Sequence, residues 1–585
     1  MLSVAIPSPS GRRSVSFRPT TLHPPLEEWY SLDRQLPADD LARVILDGLN
    51  RLGWTSLWDL YAGRGSSAYP PQRLLAVVLY EIRQGHLSPA QWYRNARKVD
   101  SLRWLLAGFT PSRSCWYNFR DRIGPMLDEF NQQLLHQLDN EKLVPANCGT
   151  LDGTMISANA SRHRMVNQET LRRRLELLEA SDAPKPATAA SSTHPSTDDS
   201  STRTYPAVEQ TQQAEETVAE SSPDACQENI RVPTQADKSI TGQEDTASDR
   251  GKTATESAKS PAWMAKTQVG RQRQRQGYQR AQVRMTQLQA ENSQRKKDKR
   301  RPAEKLVVSL SDPESALGWD KLKVYRPLYN VQLLNDVDSP FILGYQVVAQ
   351  VNDAGLMKGM LERQQQMLGR QVQKLLTDSG YTGGADLAAA DEAKVTVYGP
   401  WQENDYSKQK QAKKGKRVKL MDKSKFSYSK EEDAYRCPEG KNLAKVGEQA
   451  QRRETSGRVT LRMYQAKAED CRECRRRKEC TSSAKRGRTV SRSEYEELIE
   501  ALKARGETQE GKELYKLRKQ AGERFNADFK QHRKLRTFSG RGLRRTSGEV
   551  ALMVFANNLI SGESERAKKA KRLALSPDTV NPIQR

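Results

Sequence analysis

Three acidic residues in separate segments have the surroundings that divalent-metal chemistry on a phosphodiester requires: Asp152 in ANCGTLDGTMISANAS, Asp378 in QKLLTDSGYTGG and Glu523 in YKLRKQAGERFNADFK. A phosphodiester repels an attacking hydroxide or sugar hydroxyl through its own charge. Cutting and rejoining it commonly uses two divalent ions about 4 Å apart, one activating the nucleophile and one stabilising the leaving oxygen. Mg²⁺ takes hard oxygen ligands and keeps several waters, so a cluster of two or three carboxylates is a sufficient protein contribution.

Each acid needs an element to carry it. Asp152 lies between the apolar runs at 143–151 and 155–156, which places it on an early strand of a buried sheet. Gly153 directly after it leaves room for close approach of a metal or phosphate. Asp378 ends the strand-like run 372–377, where Ser379-Gly380 and Thr382-Gly383-Gly384 stop the pattern; ligand sites of α/β sheets favour such carboxyl ends. Glu523 falls in a helix over 509–534. There Leu517, Ala521, Phe525 and Phe529 form a core stripe, while Lys519, Glu523, Asn526 and Lys530 follow one another on the roughly opposite face. The competing readings are ordinary ones: an Asp that bonds its own turn, and an amphipathic helix with solvated charges.

The remaining elements build around these. Residues 26–142 read as helical, with an apolar helix from Pro71, a Ser88-Pro89 helix start, and a basic, aromatic helix over 113–122 that would suit DNA recognition if exposed; a packing or dimerisation bundle is the alternative. Strands are expected at 327–334 and 341–351 as a hairpin-like pair, then a helix at 355–368 and a strand at 394–398. Residues 180–261, rich in Ser, Thr, Ala, Gln, Glu and Asp, cannot bury enough apolar area to offset chain entropy and are expected to be disordered, flanked by helices at 168–179 and 268–294.

Of seven cysteines, Cys115, Cys148 and Cys226 are isolated. Cys437, Cys471, Cys474 and Cys480 lie between Asp378 and Glu523, and their three-plus-one spacing is compatible with four thiolates round a tetrahedral Zn²⁺; reduced, unligated thiols are the alternative. With 97 Lys+Arg against 72 Asp+Glu, the net charge of +25 favours a polyanionic partner through counterion release, without base readout. Cations concentrate at 271–301, 408–425, 472–488 and 533–545. No leader-like or membrane-spanning apolar run is read, and a cytoplasmic, nucleoid-associated location is expected.

The segments TLDGTMISANASRHRM, YNVQLLNDVDSPFILGYQVVAQVND, LLTDSGYTGG, YRCPEG with CRECRRRKEC, and ERFNADFKQHRKLRTFSGRGLRR together resemble bacterial insertion-sequence transposases with an Asp, Asp, Glu triad, in the long branch that carries a cysteine-bearing insertion before the Glu. The family signature spaces Tyr, Arg, Glu and Lys by two, three and six residues. Tyr515, Glu523 and Lys530 match it, while Arg518 is one residue too far from the Glu and Lys519 stands at the expected gap, so either could be the signature cation. Asp528 and Glu549 have poorer contexts than Glu523.

The resemblance implies an α/β fold with a ribonuclease H-like catalytic core, an N-terminal helical domain and inserted segments. The segments are a flexible arm (1–25), a helical DNA-binding domain (26–142), the first core strand with a basic helix (143–179), a disordered insertion (180–261), the continued core (262–400), the cysteine insertion (401–508), C-terminal core helices (509–562) and a basic tail (563–585). It also implies Mg²⁺ or Mn²⁺ on Asp152, Asp378 and Glu523, DNA contacts from Tyr515, Arg518, Lys519 and Lys530, a homo-oligomer on DNA, and cleavage of transposon ends with transfer into target DNA. A nuclease without strand transfer and a noncatalytic repressor are the alternatives.

Overall fold

The structure is a computed structural model that describes residues 26–58, 67–181, 261–295, 297–401, 421–453, 457–481 and 485–574, with Phe17 and Tyr61. The expected arm apart from Phe17, the Ser/Thr-rich stretch at 182–260 with Cys226, most of the 408–425 basic run, and 575–585 lie outside the described residues. Two compact units are distinguished, residues 1–176 with 273–585, and residues 177–272. Of the second, 177–181 and 261–272 are described, and they hold helix ends.

The chain opens with α1 (Leu26–Gln35), α2 (Leu41–Asn50), α3 (Thr55–Trp58), α4 (Pro71–Arg83), α5 (Pro89–Asn95), α6 (Asp100–Leu106), α7 (Arg113–Ile123) and α8 (Leu127–Asn140). The start of α5 is fixed by a capping box between Ser88 and Gln91 with Pro at the first position, and Ser112 caps α7 through the Cys115 N–H. Of the aromatic residues of α7, Tyr117 is half-buried and the other two face inwards. Trp116 and Phe119 recur with Ile123 on its inward stripe and are buried, Trp116 meeting the Trp92 ring edge-on at 6.4 Å.

The first strand, β1 (Cys148–Ser157), is followed by β2 (Met165–Asn167), α9 (Gln168–Ala180), α10 (Gln268–Ser293) and β3 (Val307–Ser309). The strands β2 and β3 form a small antiparallel ladder. Next come β4 (Ala316–Trp319), β5 (Tyr325–Asp336), β6 (Ile342–Val348), α11 (Met357–Leu368), β7 (Lys374–Thr377), α12 (Gly384–Glu392) and β8 (Thr396–Tyr398). The main sheet runs β8-β7-β1-β5, with β4 and β6 pairing successive stretches of β5. Within it β1 is antiparallel to β5 and parallel to β7, which is parallel to β8.

After β8 a second, five-stranded antiparallel sheet forms from β9 (Ser427–Ser429), β10 (Ala434–Arg436), β11 (Asn442–Arg453), β12 (Gly457–Ala466) and β13 (Thr489–Ser493), in the order β13-β12-β11-β10-β9. Two short helices, α13 (Ala468–Arg472) and α14 (Arg477–Cys480), precede β13. Its core is small: Phe426, Tyr435, Leu443, Tyr464, Ala466 and Val490. The chain then returns to the main body as α15 (Glu496–Glu507), α16 (Gln509–Ala527), a π-helical turn (Asp528–His532) and α17 (Leu543–Ala574).

Three expected boundaries move. Ile499 and Leu502 of α15 join the main core, so the cysteine insertion ends before α15 rather than at 508. The segment from 563, expected as a basic tail, continues α17 as helix to Ala574. The N-terminal helices are not a separate domain, because α17 is buried along 549–556 and packs against α2, α4, α8 and β6 at once. Phe130 of α8 sits between Trp54 and Phe555, at ring separations of 5.0 and 6.2 Å. Asn558 clasps the backbone of Ile342 from both sides at 2.9 Å. A helix buried all round belongs in the middle of a core, and no break separates the bundle from the sheet. Among the described residues no helix is long and apolar enough to cross a membrane.

Candidate active site

Alternation along β1 puts Thr150, Asp152 and Thr154 on one face of the sheet. Because β7 pairs with β1 in parallel with Leu151 opposite Thr377, the next residue on each strand is an Asp, and β7 stops there. Asp152 and Asp378 are thus brought together. Their shared partner is Arg518 of α16, whose Nη2 lies 3.4 Å from Asp152 Oδ1 and 3.8 Å from Asp378 Oδ2. The guanidinium takes the place between two carboxylates that suits a cation, so this donor set fits a hard divalent ion. Asp378 Oδ1 also accepts from the Gly380 N–H at 2.8 Å. One oxygen of this Asp thus closes its own turn, and the other faces Arg518.

α16 reaches β1 through a glycine. A methyl group at Gly522 would stand 3.2 Å from Thr150 Oγ1 and 3.7 Å from Asp152 Cβ. One turn further, Asn526 Nδ2 donates to Asp152 Oδ2 at 2.6 Å. In the π-helical turn, Lys530 Nζ donates to Thr154 Oγ1. The expected polar face of the helix therefore splits. Ala521, Phe525 and Phe529 are buried as expected and Leu517 is exposed, while of the four polar residues Asn526 and Lys530 turn towards β1 and Lys519 and Glu523 stay exposed. The helix buries two adjoining stripes rather than one. Arg518, not Lys519, lies at the acids, and Tyr515 is half-buried on the preceding turn.

Glu523 follows Gly522 and is exposed, whereas Arg518 and Asn526 on the same helix make the contacts to Asp152. The two other acids of this region are engaged elsewhere. Asp528 pairs with Arg533 at 2.7 Å, and the buried Glu549 accepts from Ser539 N–H and Oγ at 2.9 and 2.8 Å.

A further carboxylate, Asp353, was not foreseen. It lies in the loop before α11, and its Oδ1 accepts from Asn330 Nδ2 and Gln332 Nε2, each at 2.8 Å. Tyr381 in turn donates its hydroxyl to Gln332 Oε1. The space that Gly153 leaves is filled by these groups: a Cβ there would stand 2.3 Å from Asp353 Oδ1 and 2.5 Å from Gln332 Nε2. The glycine admits a carboxylate of the chain itself, not an open approach for metal or phosphate. The signal was present in YNVQLLND, where Asn330 and Gln332 interrupt an otherwise apolar central strand and are fully buried.

Burial raises the Asp152 carboxyl above its ordinary range; Arg518 opposes this, and Asp378 and Asp353 add to it. Burial likewise pushes the Lys530 ammonium down to about 8, with Lys321 adding to the shift.

In the insertion, Cys437, Cys471, Cys474 and Cys480 all line one small cavity. Cys115 and Cys148 stand apart, and burial pushes the Cys148 thiol up to about 12. Among the described residues no three or more His, Cys, Asp or Glu are already set as a metal-ligand group.

Residues 436–561 match the family described as a transposase DDE domain. This span runs from the end of β10 into α17 and contains Arg518, Glu523, Asn526 and Lys530, while Asp152, Asp353 and Asp378 precede it. The comparisons with curated proteins and with solved structures gave no match.

Proposed function

We propose, from a chain that carries a transposase DDE domain at 436–561, that it is a DNA transposase cutting transposon ends and joining them to target DNA on a ribonuclease H-like core. The observation that carries the reading is the Asp152–Asp378 pair, set side by side by the β1–β7 register and shared by Arg518. The strand order β6-β5-β1-β7-β8, antiparallel on one side of β1 and parallel on the other, supports the ribonuclease H-like part.

Two divalent ions, Mg²⁺ or Mn²⁺, would supply Lewis-acid activation of the attacking oxygen and stabilisation of the leaving one. Asp152 and Asp378 would hold them, and Asn526 fixes the rotamer of Asp152. Arg518, which lies between the two acids, would with cations held there be placed to take a phosphate oxygen beside the scissile bond, with Lys530 at Thr154, two residues along β1 from Asp152. Glu523, exposed just after Gly522, would complete the set. Asp353 is the other carboxylate in reach of the pair. Lys519 and Tyr515 would contact DNA outside the metal centre, and the family resemblance implies two or more copies on paired ends.

The test is incubation of the full chain with the DNA flanking its own gene plus Mg²⁺ or Mn²⁺, with every nick and joint mapped. End-specific 3′-hydroxyls and their transfer into plasmid support the reading. Nicks without transfer would leave a nuclease, and DNA binding without metal-dependent cleavage would leave a repressor.

A further inference from the structure

We propose that Cys437, Cys471, Cys474 and Cys480 bind one zinc ion as four thiolates, and that the arginine-rich run around them is the counter-charge of that centre. The inference does not rest on the transposase reading.

The four side chains come from two distant stretches, the turn between β10 and β11 and the segment from α13 to α14, and they meet at a single cavity of about 30 Å³, room for one ion-sized particle. Two backbone amides already point at sulfur: Lys441 N–H donates to Cys437 Sγ at 3.3 Å and Arg488 N–H to Cys471 Sγ at 3.4 Å. Such outer-shell donors orient metal-bound thiolates and spread their charge. Cys437, Cys471 and Cys480 pack at the edge of the insertion's small core. The helices α13 and α14, of five and four residues, are too short to be stable by themselves. A domain this poor in buried apolar residues commonly needs a staple.

Charge gives an independent argument. Zinc with four thiolates keeps a net double negative charge. Lys441, Arg476, Arg477 and Arg488 line the cavity against two carboxylates, Glu439 and Asp470, and Lys441 pairs with Asp470 at 3.3 Å. Arg476 also pairs with Glu479 at 3.6 Å, and the four cations still outnumber these three carboxylates, an excess that a tetrathiolate centre would balance. Ligation would draw the sulfurs inwards by rotation of the cysteine side chains and expel one proton from each thiol to solvent, so affinity rises with pH.

The experiment is metal analysis of full-length protein purified without chelator, with Cys471→Ser/Cys474→Ser and Arg476→Gln/Arg477→Gln as variants. The expected results are about one zinc per chain, loss of zinc in the cysteine variant, and a fall of about 10-fold or more in zinc affinity, by competition with a coloured chelator, in the arginine variant. Should the cysteine variant not fold, thiol titration of the wild-type chain decides: chelator should expose four additional reactive thiols. Absence of zinc, zinc retained without Cys471 and Cys474, or thiol reactivity indifferent to chelator overturns the site. Unchanged affinity in the arginine variant overturns the counter-charge.

Discussion

The main sheet and the sheet of the insertion use the same backbone ladders and are held in opposite ways. The first is clamped by helices whose apolar residues form one continuous core with the N-terminal bundle and α17. The second rests on six buried hydrophobic residues, a group of three tyrosines with ring separations of 5.0 to 6.0 Å, and local polar ties such as Tyr464 and Tyr428 donating to Asp433 at 2.6 and 2.7 Å. Along β11, residues 444–450 are exposed. A rigid frame is what the Asp pair needs, because carboxylates held by packed strands keep their spacing when charge arrives. The insertion can open as a unit of its own at lower cost.

The largest effect that separates the two regions is on chemistry. Asp152→Asn and Asp378→Asn should each lower metal-dependent cleavage by more than about 10²-fold with DNA binding retained, since each removes a ligand charge at nearly constant shape. Glu523→Gln and Asp353→Asn, assayed alongside, identify the third carboxylate: the variant that keeps wild-type cleavage is excluded from the centre. Next is stability. Phe130→Ala, in the shared core, should cost about 3–5 kcal/mol and lower the main unfolding transition, whereas Tyr464→Ala should raise hydrogen exchange in β9–β13 while leaving the main sheet protected. Equal loss of protection in both sheets would show that they unfold together.

Smaller effects report on the joint and on the site. Arg492 of β13 donates to both oxygens of Glu500 on α15 at 2.6 and 2.9 Å and lies 3.8 Å over the Tyr428 ring. A lysine cannot reproduce both contacts, and Arg492→Lys should cost about 1 kcal/mol, confined to the insertion and α15. Lys530, with its ammonium near 8, loses its charge as pH rises through that value. Phosphate binding should weaken over the same range, and Lys530→Arg should remove that limb of the pH profile. The raised Asp152 carboxyl means that the folded chain holds its proton more tightly than the unfolded chain. Folding stability therefore falls as pH climbs from the ordinary carboxylate range to the raised value and stays lower at neutrality. Asp152→Asn should accordingly raise Tm at pH 7, with the gain shrinking in acid; a lower Tm would mean that the contacts with Arg518 and Asn526 outweigh burial.

Much of the frame was legible. Apolar runs and their punctuation locate β1, β5, β6 and β7, and a helix is read at α11, because these residues are buried by the same pattern that forms them. The cap at Ser88 and the strand-end position of Asp378 were read from local chemistry alone. What escaped depends on tertiary partners. Asp353 looks like any loop acid until the buried amides of Asn330 and Gln332 are seen to meet it. Strand β11, with a polar, charged sequence, owes its form to its neighbours rather than to an apolar face. Four cysteines announce themselves by spacing, but their meeting place is set by β11 and β12 doubling back. The orientation of α16 was misjudged because one stripe was counted where two are buried.

Gly522 sets a working distance. In the interior of a helix a glycine costs about 1 kcal/mol relative to alanine, yet here the missing methyl lets the helix axis ride close enough for Asn526 and Arg518 to reach β1. Gly522→Ala would gain helix propensity while pressing on Thr150, so the helix would back off by a few tenths of an ångström and both side chains would retreat with it. At this position a stabilising substitution and a well-aimed guanidinium are alternatives, and the gap between helix and strand works as an adjustment of how tightly the acids are held before any cation arrives.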